Sequence, residues 1–301
     1  MSASIRLRAF AKVNIGLRIV GRRSDGYHEI RTIYQTVGLH DTLEISLLRR
    51  KTIDFECDDP SIPPGRGNLV FRAYELWRSA RKFTGGVAVR LHKQIPAGSG
   101  LGGASADAAA TLIGLEKLTG DRLPLVQRFR LATELGSDVP FFLVGGRVLG
   151  IGRGEEIYPL ADLPRRSCLI VFPGFTVSTA VAYQEAGRLL EAELTKPQEV
   201  FNMLCFGAWP RFPHDAWGPA ENDFERVVFA RWPELARLKR QLFRAGAESA
   251  SLTGSGSAIF GLFDSARKLT RAASLIPRNS QTFRTRTLSR SEYVRAVTSE
   301  Q

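Results

Sequence analysis

The opening residues alternate between apolar and polar side chains with a period near two. IRLRAFAKVNIGLRIVG and IRTIYQTVGLHDTLEISLL both carry this pattern, and RRSDGYHEI between them offers an Asp25-Gly26 turn. Two strands joined by a tight turn follow from it. The period then lengthens. Over Gly65 to Phe83, Leu69, Ala73, Leu76, Trp77 and Ala80 share one helical face, and Asn68 is placed to cap its start. VAVRLHKQIP reads as a strand again. Helical spacing resumes at Ser105, with Leu112, Leu115 and Leu118 on one face, and Leu123 to Leu135 forms a further helix stopped by Gly136.

A second unit begins near Ala161. SCLIVFPGF has the apolar run of a buried strand, while STAVAYQEAGRLLEAEL, PELARLKRQLFRAG and DSARKLTRAASLI are helical. Between the last two, AESASLTGSGSAIFGLF gives two β-like runs around a small-residue turn. Strands and helices mix without strict β-α alternation. The expected architecture is therefore α+β in two lobes, residues 1–160 and 161–301, with a cleft between them. The stretch from Leu194 to Pro219, with Trp209, His214 and Trp217, carries no recognisable signal.

Composition narrows the function. With 301 residues, 44% of them hydrophobic and 24% charged, the chain can bury a substantial core. No run of eighteen apolar residues occurs, so no membrane partner is expected and a cytoplasmic setting is. Cys57, Cys168 and Cys205 are scattered and read as free, mostly buried thiols. The net charge of +12 asks for an anionic partner. Nucleic acid is not the expected one. Basic clusters such as Arg49-Arg50-Lys51 and Arg165-Arg166 are short and lack interleaved aromatics.

Chemistry concentrates in PAGSGLGGASADAAA, Pro96 to Ala110. Dense glycines mark backbone that turns tightly or approaches a ligand closely, and the alanines after them form helix. A glycine loop feeding a helix N-terminus is a ready anion site, most often for phosphate. No Lys-Ser/Thr pair follows the glycines, which excludes a Walker A loop. GSGLGGAS also matches the dinucleotide fingerprint, but Glu116 and Asp121 fall within or just after the same helix, not at the end of a following strand. Ser105 would add a hydroxyl for phosphate or phosphate-bound Mg²⁺, or cap the helix. Asp107 would hold Mg²⁺ or, as the preferred reading, favour the helix N-terminus electrostatically.

Two further residues stand out. Lys12 lies in an apolar strand, where an ammonium needs an anionic partner unless it faces solvent. Asp138 lies in LGSDVPFF, between a helix-stopping glycine and an aromatic pair, as a helix cap or as a carboxylate in an apolar site.

Together, AKVNIGL, PAGSGLGGASADAAA, LGSDVPFF and LTGSGSAIF resemble, in order and spacing, the galactokinase, homoserine kinase, mevalonate kinase and phosphomevalonate kinase superfamily. The likeness spans nearly the whole chain. RRSDGYHEI, a following Tyr-Gln pair and the tail TLSRSEYVR resemble, within it, the branch that phosphorylates the cytidine diphosphate derivative of methylerythritol in the non-mevalonate isoprenoid pathway.

This resemblance implies a two-lobed small-molecule kinase that uses ATP and Mg²⁺. Lys12 and Asp138 match the family's catalytic pair. Pro96, Ala97, Gly98, Ser99, Gly100, Leu101, Gly102, Gly103, Ala104, Ser105 and Ala106 match its ATP phosphate loop, and Asn68 and Lys93 match positions lining the adenine pocket. Tyr27 and His28 match the cytosine-binding pair, Tyr183 an aromatic closing over the other face of the base, and Asn14 a position near the acceptor hydroxyls. Gly254, Ser255 and Gly256 would shape the cleft floor. Mevalonate or homoserine phosphorylation, and RNA binding by the basic surface, are the alternatives.

Overall fold

The computed structural model describes residues 3–193 and 220–297; the stretch 194–219, including Cys205, lies outside them. The opening alternation becomes a long antiparallel hairpin of β1 (Ser4–Arg22) and β2 (His28–Leu48). Its turn has Gly26 at φ +85°. The register slips between Phe10 and Lys12 and again between Asn14 and Gly16. A slip of one residue exchanges the two faces of a strand. Leu7 and Ala9 accordingly join the core beneath the helices, whereas Ala11, Val13 and Ile15 join a different apolar layer. Lys12 and Asn14 are thereby aimed into the cleft.

The chain continues through β3 (Ile53–Cys57), α1 (Leu69–Arg81) and β4 (Gly86–His92). Asn68 caps α1 as expected, its Oδ1 accepting the Val70 amide at 2.9 Å. β4 ends before the expected Pro96 because the buried carboxylate of Asp41 takes the amides of Gln94 and Ile95. Next come α2 (Gly103–Thr119), α3 (Leu125–Leu135), a 3₁₀ turn at Pro140–Leu143, β5 (Arg147–Ile151) and β6 (Glu156–Pro159). The larger sheet runs β3-β4-β2-β1-β8, where β8 is Glu221–Asn222, with β5 on β2 and β6 on β5. Trp77 of α1, Leu112 and Leu115 of α2 and Phe141 of the 3₁₀ turn pack against Leu43, Val87 and Val89 of this sheet.

The second sheet has the order β11-β7-β10-β9, formed by β7 (Ser167–Phe172), β9 (Ser249–Leu252), β10 (Ile259–Phe263) and β11 (Gln281–Arg286). Its helices are α4 (Thr179–Glu193), α5 (Glu225–Arg231), α6 (Pro233–Arg244) and α7 (Ala266–Ser274). Between the sheets, Ala11, Val13, Ile33 and Val37 meet Cys168, Ile170, Phe260 and Leu262, all of them buried. The two units thus share an apolar layer.

The chain also crosses the expected boundary twice. β8 pairs with β1, and α8 (Arg290–Val297) returns to the first core, where the Tyr293 hydroxyl donates to the Phe142 carbonyl. Cys168 is buried and free, and Cys57 is half-buried and free. Among the described residues no helix is long and apolar enough to cross a membrane.

Candidate active site

The glycine loop runs between β4 and α2, and protein groups bind three of its successive carbonyls. Ser99 O accepts from the Ala258 amide at 3.0 Å, Gly100 O from Thr253 Oγ1 at 3.1 Å, and Leu101 O from the Lys12 amide at 3.0 Å. Gly100, at φ +81°, lies so near the second lobe that a Cβ would stand 2.1 Å from the Thr253 carbonyl. Gly102, at φ +77°, would place a Cβ 2.8 Å from the Phe142 ring and 3.2 Å from Lys12 Cγ. Only glycine fits either position.

Helix α2 begins at Gly103, two residues before the expected Ser105, because the left-handed Gly102 ends the loop. No side chain caps it, so the capping alternative for Ser105 does not hold. Its first intrahelical bond runs from the Ala106 amide to Gly102 O at 2.9 Å, leaving the amides of Gly103, Ala104 and Ser105 without helical acceptors. These three residues line a cleft of about 500 Å³. An anion there meets unpaired N–H groups and the positive end of the helix dipole. Two residues of the expected loop do not reach it: Leu101 and Ala106 are buried in apolar clusters.

Beside the loop, Lys12 is only 3% exposed, which rules out the solvent-facing alternative. Its ammonium donates to Asn14 Oδ1 at 2.8 Å and lies 3.5 Å from Asp138 Oδ2. Asp138 caps no helix, since the following 3₁₀ turn has no side-chain cap. Its Oδ1 accepts from the Tyr34 hydroxyl at 3.0 Å, so both oxygens are oriented and the carboxylate still borders the cleft. Burial, and then the Asp138 charge, hold the Tyr34 phenol well above its ordinary value. The sequence marks Tyr34 only as part of the Tyr-Gln pair, because its bond to Asp138 spans 104 positions and exists only in the fold.

Asn14 lines the cleft beside Lys12, and its carboxamide is also engaged by the protein. Its Oδ1 accepts from Lys12, from Thr253 Oγ1 at 3.2 Å and from the Gly254 amide at 2.8 Å, while its Nδ2 donates to Thr32 Oγ1 at 2.7 Å. It is 1% exposed. Its carboxamide holds Lys12 and ties β1 to the second lobe. Gly254 and Ser255 line the cleft; Gly256 does not, and instead stands behind Gly100.

Asn68 and Lys93 also line the cleft. The Lys93 ammonium is bound by two carboxylates, Asp41 Oδ2 at 2.5 Å and Asp107 Oδ2 at 2.9 Å. Burial alone would lower the Lys93 pKa, but Asp107 and Asp41 together raise it. Asp107 thus serves Lys93 in the second turn of α2, in place of the expected role at the helix terminus. Burial pushes its carboxyl up to about 7 against the opposing pull of Lys93.

A second cavity of about 730 Å³ adjoins the cleft and shares Ser137, Arg153, Thr179 and Tyr183 with it. Arg22, Arg153 and Arg188 line this cavity, and among the described residues no acidic one does. Tyr27 is exposed, with the Arg153 guanidinium 4.9 Å above its ring. His28 stacks on Tyr183 at 5.1 Å between centroids, and Phe224 meets Tyr183 at right angles at 4.7 Å. The expected slot between Tyr27 and Tyr183 is therefore not open here, because His28 covers a face of Tyr183.

The raised Asp107 pKa has a sign that can be measured. The folded chain holds this proton more tightly than the unfolded one, so its contribution is complete below the ordinary 3.8 and is lost as pH rises through about 7. Urea unfolding of the wild type and Asp107→Asn between those limits should show the wild type losing stability relative to the variant, by up to about 1.4 kcal/mol per pH unit. Parallel pH profiles would contradict it.

The comparisons agree with this geometry. The GHMP kinases N terminal domain matches residues 68–146 and the GHMP kinases C terminal domain residues 213–278. The 4-diphosphocytidyl-2-C-methyl-D-erythritol kinase of Solibacter usitatus is 45% identical over 287 residues, covering 95% of this chain and 90% of that protein. A crystal structure of 4-(cytidine 5'-diphospho)-2C-methyl-D-erythritol kinase superimposes with a TM-score of 0.75 at 34% identity, covering 94% of this chain and 99% of that one. Homoserine kinase from Cytophaga hutchinsonii shares the fold, with a TM-score of 0.64 at 19% identity over 96% of each chain. A glycine loop at an uncapped helix, a buried lysine facing an oriented aspartate, and relatives matched over nearly their full length place this chain in the 4-diphosphocytidyl-2-C-methyl-D-erythritol kinase family of the GHMP kinases.

Proposed function

We propose that this chain transfers the γ-phosphoryl group of ATP to the 2-hydroxyl of 4-diphosphocytidyl-2-C-methyl-D-erythritol, a cytoplasmic step of the non-mevalonate isoprenoid pathway. Continuity of the cleft carries the reading. The uncapped start of α2, the Lys12–Asp138 pair and the basic, aromatic second cavity form one path through Ser137, Arg153, Thr179 and Tyr183. Triphosphate lies at the amides of Gly103 to Ser105, the adenosine end extends toward Asn68 and Lys93, and the cytidine diphosphate occupies the second cavity. A base that stacks on the covered face of Tyr183 displaces His28. Acceptors such as mevalonate and homoserine carry no base or diphosphate to use that cavity.

Phosphoryl transfer demands position and charge more than covalent help. The acceptor oxygen bonds to the γ-phosphorus as the bond to the β-γ bridging oxygen breaks and ADP departs. Asp138, held by Tyr34, orients the hydroxyl and accepts its proton. Lys12 stabilises the negative charge on the moving phosphoryl group. Mg²⁺ would neutralise the phosphates. Among the described residues no cluster of three or more His, Cys, Asp or Glu side chains is ready to hold a metal, which fits an ion carried on the phosphates with the Ser105 hydroxyl nearby.

ATP consumption with diphosphocytidyl methylerythritol, mevalonate and homoserine offered in parallel tests the assignment. Turnover should be confined to the first; equal or greater turnover of another would reassign the acceptor. RNA binding with a steep salt dependence and no ATP turnover would overturn the kinase reading. With the preferred acceptor, Asp138→Asn should lower kcat by about two orders of magnitude while nucleotide still binds. Unchanged turnover would remove Asp138 from its role.

Tyr34→Phe should act more mildly. Loss of one hydrogen bond to a charged group costs about 1.5 kcal/mol, so kcat should fall roughly tenfold. The KM for ATP should move less than about twofold, because Tyr34 orients Asp138 and does not touch the phosphate loop. An ATP KM that rises in step with the fall in kcat would show that Tyr34 supports the loop instead.

A further inference from the structure

Asp41 lies on β2, has no exposed surface and does not line the cleft. It is nevertheless bound at both oxygens. Oδ1 accepts the amides of Gln94 at 2.6 Å and Ile95 at 2.8 Å, and Oδ2 accepts the Lys93 ammonium at 2.5 Å. The same ammonium reaches Asp107 Oδ2 on α2 at 2.9 Å. Residues 93–95 lead into the glycine loop, and Asp107 follows it. One buried ammonium therefore closes a ring across the loop, from entry to exit.

Stability alone does not explain this arrangement. Two carboxylates and one ammonium are buried together, and apolar side chains of similar volume are often as stable or more so. The upward shift of the Asp107 carboxyl reflects that cost. What ions supply and apolar contacts do not is fixed distance and direction. The loop needs both, since left-handed glycines at 98, 100 and 102 leave its backbone free to take many other shapes.

We propose that Asp41 is a positioning residue for the nucleotide: through Lys93 and the amides of Gln94 and Ile95 it holds the glycine loop in the geometry that receives the phosphates. This rests on the reading that the loop binds ATP. Lys93 thereby acts first as a strut, whatever its stem contributes to the adenine wall.

The test uses the whole chain. Isothermal titration with MgATP and, separately, with cytidine diphosphate is combined with hydrogen exchange of the free protein. Asp41→Asn should weaken MgATP at least tenfold, change cytidine diphosphate affinity less than twofold, and speed exchange at 93–104 while other core amides keep their protection. Lys93→Met should do the same, and Lys93→Arg, whose guanidinium can span both carboxylates, should restore most of the MgATP affinity. If Asp41→Asn does not fold, the two Lys93 variants carry the test. Wild-type MgATP affinity in Asp41→Asn and Lys93→Met, with only a lower melting temperature, would overturn the proposal. Equal loss of both ligands would also overturn it, by showing a general collapse of the cleft. A wild-type protein that binds cytidine diphosphate but not MgATP would remove the phosphate-loop reading itself, and the proposal with it.

Discussion

A buried ammonium must be met by partners, and the site is organised around that requirement at Lys12. No single element supplies them. Asn14 comes from the same bulged strand, Asp138 from the turn after α3, and the Tyr34 ring, 5.5 Å from the ammonium, from β2. Asn14 extends the link to Thr253 and Gly254 of the second lobe. The group that would stabilise a moving phosphoryl charge is thus the one whose burial draws both lobes to the cleft.

The glycine loop answers a second constraint, the lack of room. Its carbonyls are bound by both lobes, Gly100 and Gly102 lie where no side chain fits, and its exit is a helix start without a side-chain cap. Binding the carbonyls to protein leaves the helix amides for a ligand. The contacts that hold the loop thus also present its helix amides to the cleft.

The hairpin, the principal helices and the glycine loop were legible because each has a local cause: alternation, a 3.6-residue period, a cap, a turn dipeptide. Lys12 and Asp138 were legible as misfits, charged residues in apolar stretches. Asp41 was not, because an aspartate at a polar position of an alternating strand looks ordinary until the fold brings residues 94 and 95 to it. The motifs set Asp107 and Lys93 at the site but do not reveal their pairing, which spans 14 positions and depends on the loop's path. Leu101 and Ala106 belong to the motif but point into apolar clusters: a motif specifies a run of residues, whereas the backbone decides which of them face the cleft.

A crystal structure with a non-hydrolysable ATP analogue and the cytidine diphosphate acceptor bears most directly on the central claim, that the Lys12–Asp138 pair marks the point of transfer. The terminal phosphate should have an oxygen about 3 Å from Lys12 Nζ, and the acceptor hydroxyl should lie within the same reach of an Asp138 oxygen. Nucleotide bound away from the start of α2, or an acceptor hydroxyl beyond hydrogen-bond reach of Asp138 with both ligands in place, would contradict it.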